Sequence, residues 1–446
     1  MNNKGKKALM ISAVFAVGLA AGYGVMGLLD GGNKDVKKEA LPDTGEKVTI
    51  LCWNEEESRP MVDLFCRETG TDPEMIEIKN FCVGGYMAPE YYREYLGDPS
   101  NEADIIFYEP DWGYEFSDDD SVTLPLKELG YDESDFSDLY SYVVETGRST
   151  VTGELKGVSW QACPGSFCYR EDLAKKYLGV SSPSEMKEKL KNWDSFLKTA
   201  EELKASGGPA LSATLQGVWH AYSTGRTLPW MLGGKFTGDD FILEYAEYAK
   251  KLYDNDYVTH DHQWTDTWTE LSGTDEVMGY FMPSWGIDMI LSDYGNSKNN
   301  GKWKCVAGPS DYYWGGTWLA VSDRCDNRGK VKEFIDFFTS DKQAIETYAL
   351  ENDEFMSNKK VMQDIVALGK HKGAEALGGQ DQFEVFDKVS SGIYVKDMIT
   401  PYDAGIYDAV DTLVGDYCDG YYEDPAEMMD YLKDDIYYSM ETDSIT

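Results

Sequence analysis

VTILCWNEEESRPMVDLFCRETGTDPEMIEIKN (48–80) and, downstream, DIIFYEPDW (104–112) are the stretches that decide the fold. Val48–Trp53 reads as a short buried strand. Asn54–Arg59 is polar, and Pro60 predicts a helix start, where its missing N–H costs nothing. Met61, Leu64 and Phe65 share one face of that helix, and Gly70 ends it. Met75–Lys79 predicts a second strand, Pro89–Leu96 a second helix and Asp104–Tyr108 a third strand. Strand–helix–strand–helix–strand at this spacing predicts an α/β fold built on a parallel, doubly wound sheet. In such sheets ligands sit beyond the carboxyl ends of the strands. Trp53, Asn54, Glu55 and Glu56 follow the first strand; Tyr108, Glu109, Asp111 and Trp112 end or follow the third. The first turn carries neither GxGxxG nor GxxxxGK[ST], so nucleotide binding loses its main support.

Working outward, a second α/β region follows. Gly157–Arg170 reads as two short extended pieces broken at Pro164–Gly165. Asn192 and Asp194 offer caps for a helix through Ala205, with Phe196, Leu197, Ala200 and Leu203 on one face. Val277–Phe281, Trp303–Ala307 and Thr317–Val321 predict strands. Val331, Phe334, Ile335 and Phe338 mark a helix, and the C-terminal part is mostly helical. No internal repeat is present.

The 446 residues carry 41 Lys+Arg against 80 Asp+Glu, a net charge of −39. That charge argues against nucleic acid and anionic membranes as partners. Seventeen Phe, 12 Trp and 31 Tyr supply enough apolar area to exclude disorder as the main state. At the N-terminus, Lys4, Lys6 and Lys7 precede Ala8–Leu29, which has no charge and would span about 33 Å as a helix. Two readings stand: an export signal cleaved near Ala21, or an uncleaved anchor over 8–29, with the tether running to residue 46. Either way the working part is extracytoplasmic. Bacterial lipid anchoring needs a Cys right after the apolar run, and the first Cys is Cys52. None of the eight cysteines forms a CxxC pair. Cys163 and Cys168 are close enough to pair, as are Cys305 and Cys325; the alternative is that most are small buried apolar residues.

Candidate chemistry is sparse. The histidines are His220, His260, His262 and His371. His260-x-His262 lacks a neighbouring third ligand, so no metal is expected. GxSxG and HExxH are absent. Asp118–Asp120 and Asp239–Asp240 lack the calcium-loop pattern. Among so many carboxylates no acid pair is singled out, and no catalytic residue or cofactor is expected. The aromatics say more. Trp53, Trp112, Trp160, Trp219, Trp230, Trp285, Trp314 and Trp318 sit near predicted strand ends or loops. A sugar ring offers an apolar face to an indole or phenol and hydroxyls to Asp, Glu, Asn or Gln. A cation would also suit aromatics with carboxylates.

DIIFYEPDW (104–112), GVSWQACPGSFCYRED (157–172), GYFMPSWGID (279–288), YYWGGTWLAV (312–321) and LGGQDQF (377–383), taken in order, make the chain resemble the extracellular solute-binding proteins of family 1. These are carbohydrate receptors of ABC importers, here of a Gram-positive clostridial type. The likeness runs from Lys47 to the C-terminus. It implies a two-lobed, type II periplasmic-binding-protein-like fold. One lobe would comprise 47–157 with 310–355, the other 158–309 with 356–446, after a signal or anchor and tether at 1–46. It implies crossing segments near Gly157–Trp160 and Pro309–Gly316 and hinge closure on a ligand. By position, the site residues it implies are Trp53, Glu55, Tyr108, Glu109 and Trp112 from the first lobe. Trp160 and Gln161 come from the first crossing, Trp219, His220, Tyr222 and Trp285 from the second lobe, Trp314 from the return crossing, and Tyr402 and Asp403 from the C-terminal helices. The implied partners are a small carbohydrate, a neutral sugar or oligosaccharide held by aromatic stacking and hydrogen bonds, and membrane permease subunits, the receptor itself being a monomer. Two alternatives remain open: a secreted glycoside-active enzyme, and the same fold binding a cationic amine.

Overall fold

Val48–Cys52 (β1) is buried along its whole length, as befits a strand covered on both faces. The computed structural model containing it describes residues 41–81, 83, 87–292 and 297–443. The signal-or-anchor expectation for residues 1–40 and the apolar helix it invokes lie outside the described residues. Among the described residues no helix is long and apolar enough to cross a membrane.

β1 pairs in parallel with β2 (Ile76–Asn80) and with β3 (Ile105–Tyr108), Ile50 facing both Ile78 and Ile105. Two helices cross between them, α1 (Glu55–Thr69) and α2 (Ala88–Gly97). α1 starts at Glu55, five residues before the expected Pro60. Glu55, Glu56 and Glu57 fill its first turn, where carboxylates favour the helix dipole, and a proline near the start is tolerated. Gly70 ends it at φ +72°, its N–H bonded to Cys66 O. The first sheet also takes β4 (Thr123–Leu124) and β5 (Gly157–Ser159).

The second sheet begins with β6 (Gly165–Arg170) and β7 (Ala210–Ser212). A small hairpin, β8 (Met231–Leu232) with β9 (Lys235–Phe236), stands apart. β10 (Val277–Pro283) and β11 (Trp303–Val306) complete the order β11-β6-β10-β7. The chain then returns as β12 (Trp318–Ser322), which joins the first sheet antiparallel to β3 and β5. The parallel pattern therefore holds for β1–β3 and breaks where a strand re-enters from the other sheet. One apolar cluster joins the first sheet to one face of the second, through Cys168, Tyr280, Met282, Trp303 and Cys305, and another covers the second sheet's other face, through Phe167, Tyr169, Met278 and Phe281. Phe355 packs on Phe383 and Phe386 at 5.4 and 5.6 Å, and Tyr140 donates to Asp387 at 2.9 Å, so residues 355–390 join the cluster that links the first sheet to one face of the second.

Between the sheets the crossing segments run side by side. Gly165 N bonds Tyr312 O at 2.7 Å and Trp314 N bonds Cys163 O at 3.1 Å. Ala162 N bonds Phe355 O at 3.0 Å and Ser357 N bonds Trp160 O at 2.7 Å. The seven described cysteines are free and buried. Cys163 and Cys168 are not paired, nor are Cys305 and Cys325; Cys168 instead faces Cys305 across β6 and β11. Sequence spacing does not register which strands meet.

Candidate functional site

The helix Pro110–Ser117 (α3) follows β3 directly, because Pro110 suits the first helical turn. It packs against Asp403–Cys418 from the C-terminal region. Between these two helices lies a cavity of about 350 Å³, within the size range of small-molecule sites. α4 (Leu215–Tyr222) contributes His220 to its wall, while α5 (Asp266–Leu271) and the turn before it lie outside the lining. The helix Asp403–Cys418 is α6 hereafter.

Asp111 and Tyr114 face the cavity from the first side, His220 and Arg226 from the second, Tyr313 and Trp314 from the return crossing, and Asp403, Tyr407 and Asp408 from α6. His220 stacks on Trp314 with centroids 3.9 Å apart and planes 23° off parallel. Tyr407 Oη lies 2.6 Å from His220 Nδ1. Burial pushes the His220 pKa down to about 3, against a hydrogen bond to Gln263 that works the other way. The ring is therefore neutral, and its Nδ1 shares a hydrogen bond with the Tyr407 hydroxyl. Arg226 is already committed: it donates to Asp403 at 2.7 Å and lies 4.8 Å over the Trp230 ring.

The carboxylates behave differently. Asp111 stays accessible to solvent but is ringed by protein; burial pushes its pKa up to about 6, and Asp408 across the cleft adds to the rise. Asp408 is raised by burial too. Burial, then the charge of Asp111, pushes Glu109 up to about 8, against the indole N–H of Trp112, which donates to it at 3.2 Å. The arrangement offers hydroxyl-seeking acceptors, flat apolar rings and a neutral imidazole. Among the described residues it contains no group of His, Cys, Asp and Glu able to hold a metal ion.

The model of the bacterial extracellular solute-binding proteins matches residues 95–368. The chain belongs to that family. A solved extracellular solute-binding protein of family 1 superposes with a TM-score of 0.77 at 16% identity, covering 88% of this chain and 99% of its own. An ABC-transporter-associated binding protein from B. animalis subsp. lactis, solved with β-1,6-galactobiose, gives 0.67 at 16% identity, covering 89% and 98%. The galacto-N-biose/lacto-N-biose I-binding protein from Bifidobacterium longum, solved with lacto-N-biose, gives 0.67 at 15%, covering 90% and 98%. No curated protein sequence matches the chain.

Within this solute-binding protein the expected site residues fall into three groups. His220, Trp314 and Asp403 line the cavity. Trp285 stands beside it, donating to Trp314 O at 3.0 Å, and a Cβ on Gly315 would meet both Trp285 and Glu109. Trp53 and Trp112 form a separate pair, 5.4 Å apart at 87°, and Glu55 is ion-paired with Arg59. The remainder serve the fold. Trp160, Trp219 and Tyr108 have no exposed surface. Gln161 accepts from Thr317 N at 2.8 Å and donates to Glu354 at 3.1 Å. Tyr222 packs on Tyr245 and Trp193 at 4.8 and 4.9 Å. Tyr402 caps α6.

Tyr407, Asp408, Arg226 and Trp264 were not expected. A signal exists for Tyr407: with Asp403 and Asp411 it recurs every four residues, on a stripe flanking the buried Ile406, Val410 and Val414; Asp408 has none. Nothing in the sequence marks Trp264, which is 59% exposed and belongs to the turn before α5.

Proposed function

We propose that this chain is the extracytoplasmic receptor of an ABC importer. It captures a neutral saccharide between its two lobes and delivers it, as a monomer, to membrane permease subunits. The observation that carries the reading is the cavity where α3 meets α6: stacked His220 and Trp314, the Tyr407 ring, and the Asp111 and Asp408 carboxylates converge there from both sides. Rings take the sugar faces and carboxylates accept from its hydroxyls. Contacts available only when α3 and α6 approach draw an open ensemble toward the closed form. The carbohydrate complexes of two structural neighbours support the choice of ligand class.

The test is a thermal-shift and calorimetry panel of glucose, galactose, β-1,6-galactobiose, lacto-N-biose, maltose, maltotriose and galactotriose. At a hundred times Kd a ligand adds about 2.7 kcal/mol of stability, so a binder raises Tm clearly. If no member raises Tm or gives heat, the saccharide reading fails. New reducing ends on incubation would establish a glycoside-active enzyme instead.

One observation favours a second reading, the cationic amine. Asp111 and Asp408 face one another while Arg226 is neutralised by Asp403. An amine would bind more tightly from pH 5 to 7 as Asp111 ionises, and more weakly with salt. A neutral sugar would bind less tightly over the same range, because closure then buries an ionised Asp111.

A further inference from the structure

The turn before α5 holds Trp264 at φ +65°, a left-handed conformation that is costly for a bulky side chain and free for glycine. Its indole is 59% exposed, so apolar surface is left in water as well. Both costs vanish with Gly or Asn at this position. The residues around it explain why the turn keeps its shape. Thr265 Oγ1 donates to His262 O at 2.8 Å and accepts from Trp268 N at 3.2 Å, capping α5. His262 Nδ1 lies 3.1 Å from Gln216 Nε2. Gln263 hydrogen-bonds the cavity's His220, and Trp268 is fully buried. With both flanks fixed, Trp264 must stand out into the cleft.

Its surroundings are aromatic. It lies parallel to Trp285, 6.0 Å between centroids and 10° between planes. It meets Trp314 and Trp268 edge-on at 5.9 and 5.3 Å. Trp314 lines the cavity, whereas Trp264 and Trp285 lie outside its lining. The two parallel indoles therefore continue the cavity wall outward as an open shelf, with one face of Trp264 uncovered.

We infer that Trp264 is a ligand-contacting residue and that the guest is an oligosaccharide longer than the cavity: one unit sits against His220, Trp314 and Tyr407, and the next stacks on the shelf of Trp264 and Trp285. This rests on the saccharide-receptor reading above and adds chain length to it. Stacking on an exposed ring is worth most for the unit that lies outside the polar cavity, because few hydrogen bonds reach it there.

The experiment uses the full chain as wild type, Trp264→Gly and Trp264→Phe. Melting temperature is measured without ligand, and affinity by calorimetry for the shortest and longest members of each series in the panel. Trp264→Gly is expected to keep or raise Tm, since the strain goes. It should leave the shortest bound saccharide within about twofold of wild type and weaken the trisaccharide at least tenfold. Trp264→Phe should restore part of the trisaccharide affinity. Unchanged trisaccharide affinity in Trp264→Gly overturns the inference. So does a lower Tm with equal weakening at every length, which would mark a structural plug. So does a wild type whose affinity gains nothing from length, which leaves the receptor reading standing. A wild type that binds no saccharide brings down the receptor reading itself.

Discussion

The two sides of the cleft use tryptophan in opposite ways. On the first-sheet side Trp112 meets Trp53 at 87°, Tyr92 at 84° and Phe116 at 87°. Edge-to-face contacts of this kind fill a herringbone core, with Trp112 itself half-buried. On the second-sheet side Trp264 and Trp285 are 10° from parallel, and His220 and Trp314 are 23° from parallel. Parallel rings at an opening leave an outer face for a guest. The lesson is that interplanar angle together with exposure separates packing from platform, where residue type alone does not. Two histidines repeat the contrast. His220 is stripped of its charge by burial in the cleft. His371, far along the chain, stacks on Phe383 at 3.8 Å and sits between Asp381 at 2.8 Å and Asp353 at 3.1 Å. Burial alone would lower its pKa, but the two carboxylates outweigh burial and raise it to about 9.

The comparison breaks most readily at the buried indoles. Trp219→Ala should cost about 3–5 kcal/mol of stability, as for a fully buried aromatic, seen as a lower urea midpoint with little change in m. A stable Trp219→Ala protein with weakened sugar binding would move Trp219 from core to site. Next comes His371. Its folded pKa lies above the ordinary value of about 6.5, so its contribution is fully present below about pH 6.5 and disappears as pH rises through about 9. We expect wild type to lose on the order of 2 kcal/mol over that window relative to His371→Gln, measured by denaturation at pH 6 and pH 9.5. Equal pH profiles would show that the imidazole is not charged in the fold.

Trp285→Ala should weaken the longest bound saccharide at least tenfold, about 1.4 kcal/mol, and alter Tm far less than Trp219→Ala does. Equal affinities would remove the shelf from the site. The smallest effect is at Glu109. Its folded pKa is raised, so its contribution to stability is present below the ordinary carboxylate range and lost as pH rises through about 8. Glu109→Gln should therefore raise Tm by a few degrees at pH 8.5 and leave it unchanged at pH 4. A lower Tm at pH 8.5 would mean that the carboxylate is held by a cation instead.

The sheet was legible because β1–β3 alternate with amphipathic helices inside 61 residues, from Val48 to Tyr108. Local periodicity is enough for that. Helix caps were legible too: Asn192 accepts from Ser195 N at 2.8 Å as its side chain invites. The site was legible in part. His220, Trp314 and Asp403 were reached by likeness of position, and they do line the cavity. Trp219, the helical neighbour of His220, is buried instead, as is Trp160 just after β5. One helical residue to either side decides between core and cleft, and side-chain direction depends on the partner helix rather than on the motif. Trp264 was missed because a left-handed turn residue that is neither Gly nor Asn leaves no local signature.

By itself, then, the sequence determined the α/β alternation, the acidic character and the supply of indoles and carboxylates. All of these follow from periodicity and composition, which are properties of neighbours along the chain. Only the tertiary structure decided which indoles show a face, which histidine is neutral, that Asp111 faces Asp408, and that the seven described cysteines stay free. These depend on what burial and charge arrive from the opposite sheet, hundreds of residues away, and no local pattern encodes that arrival.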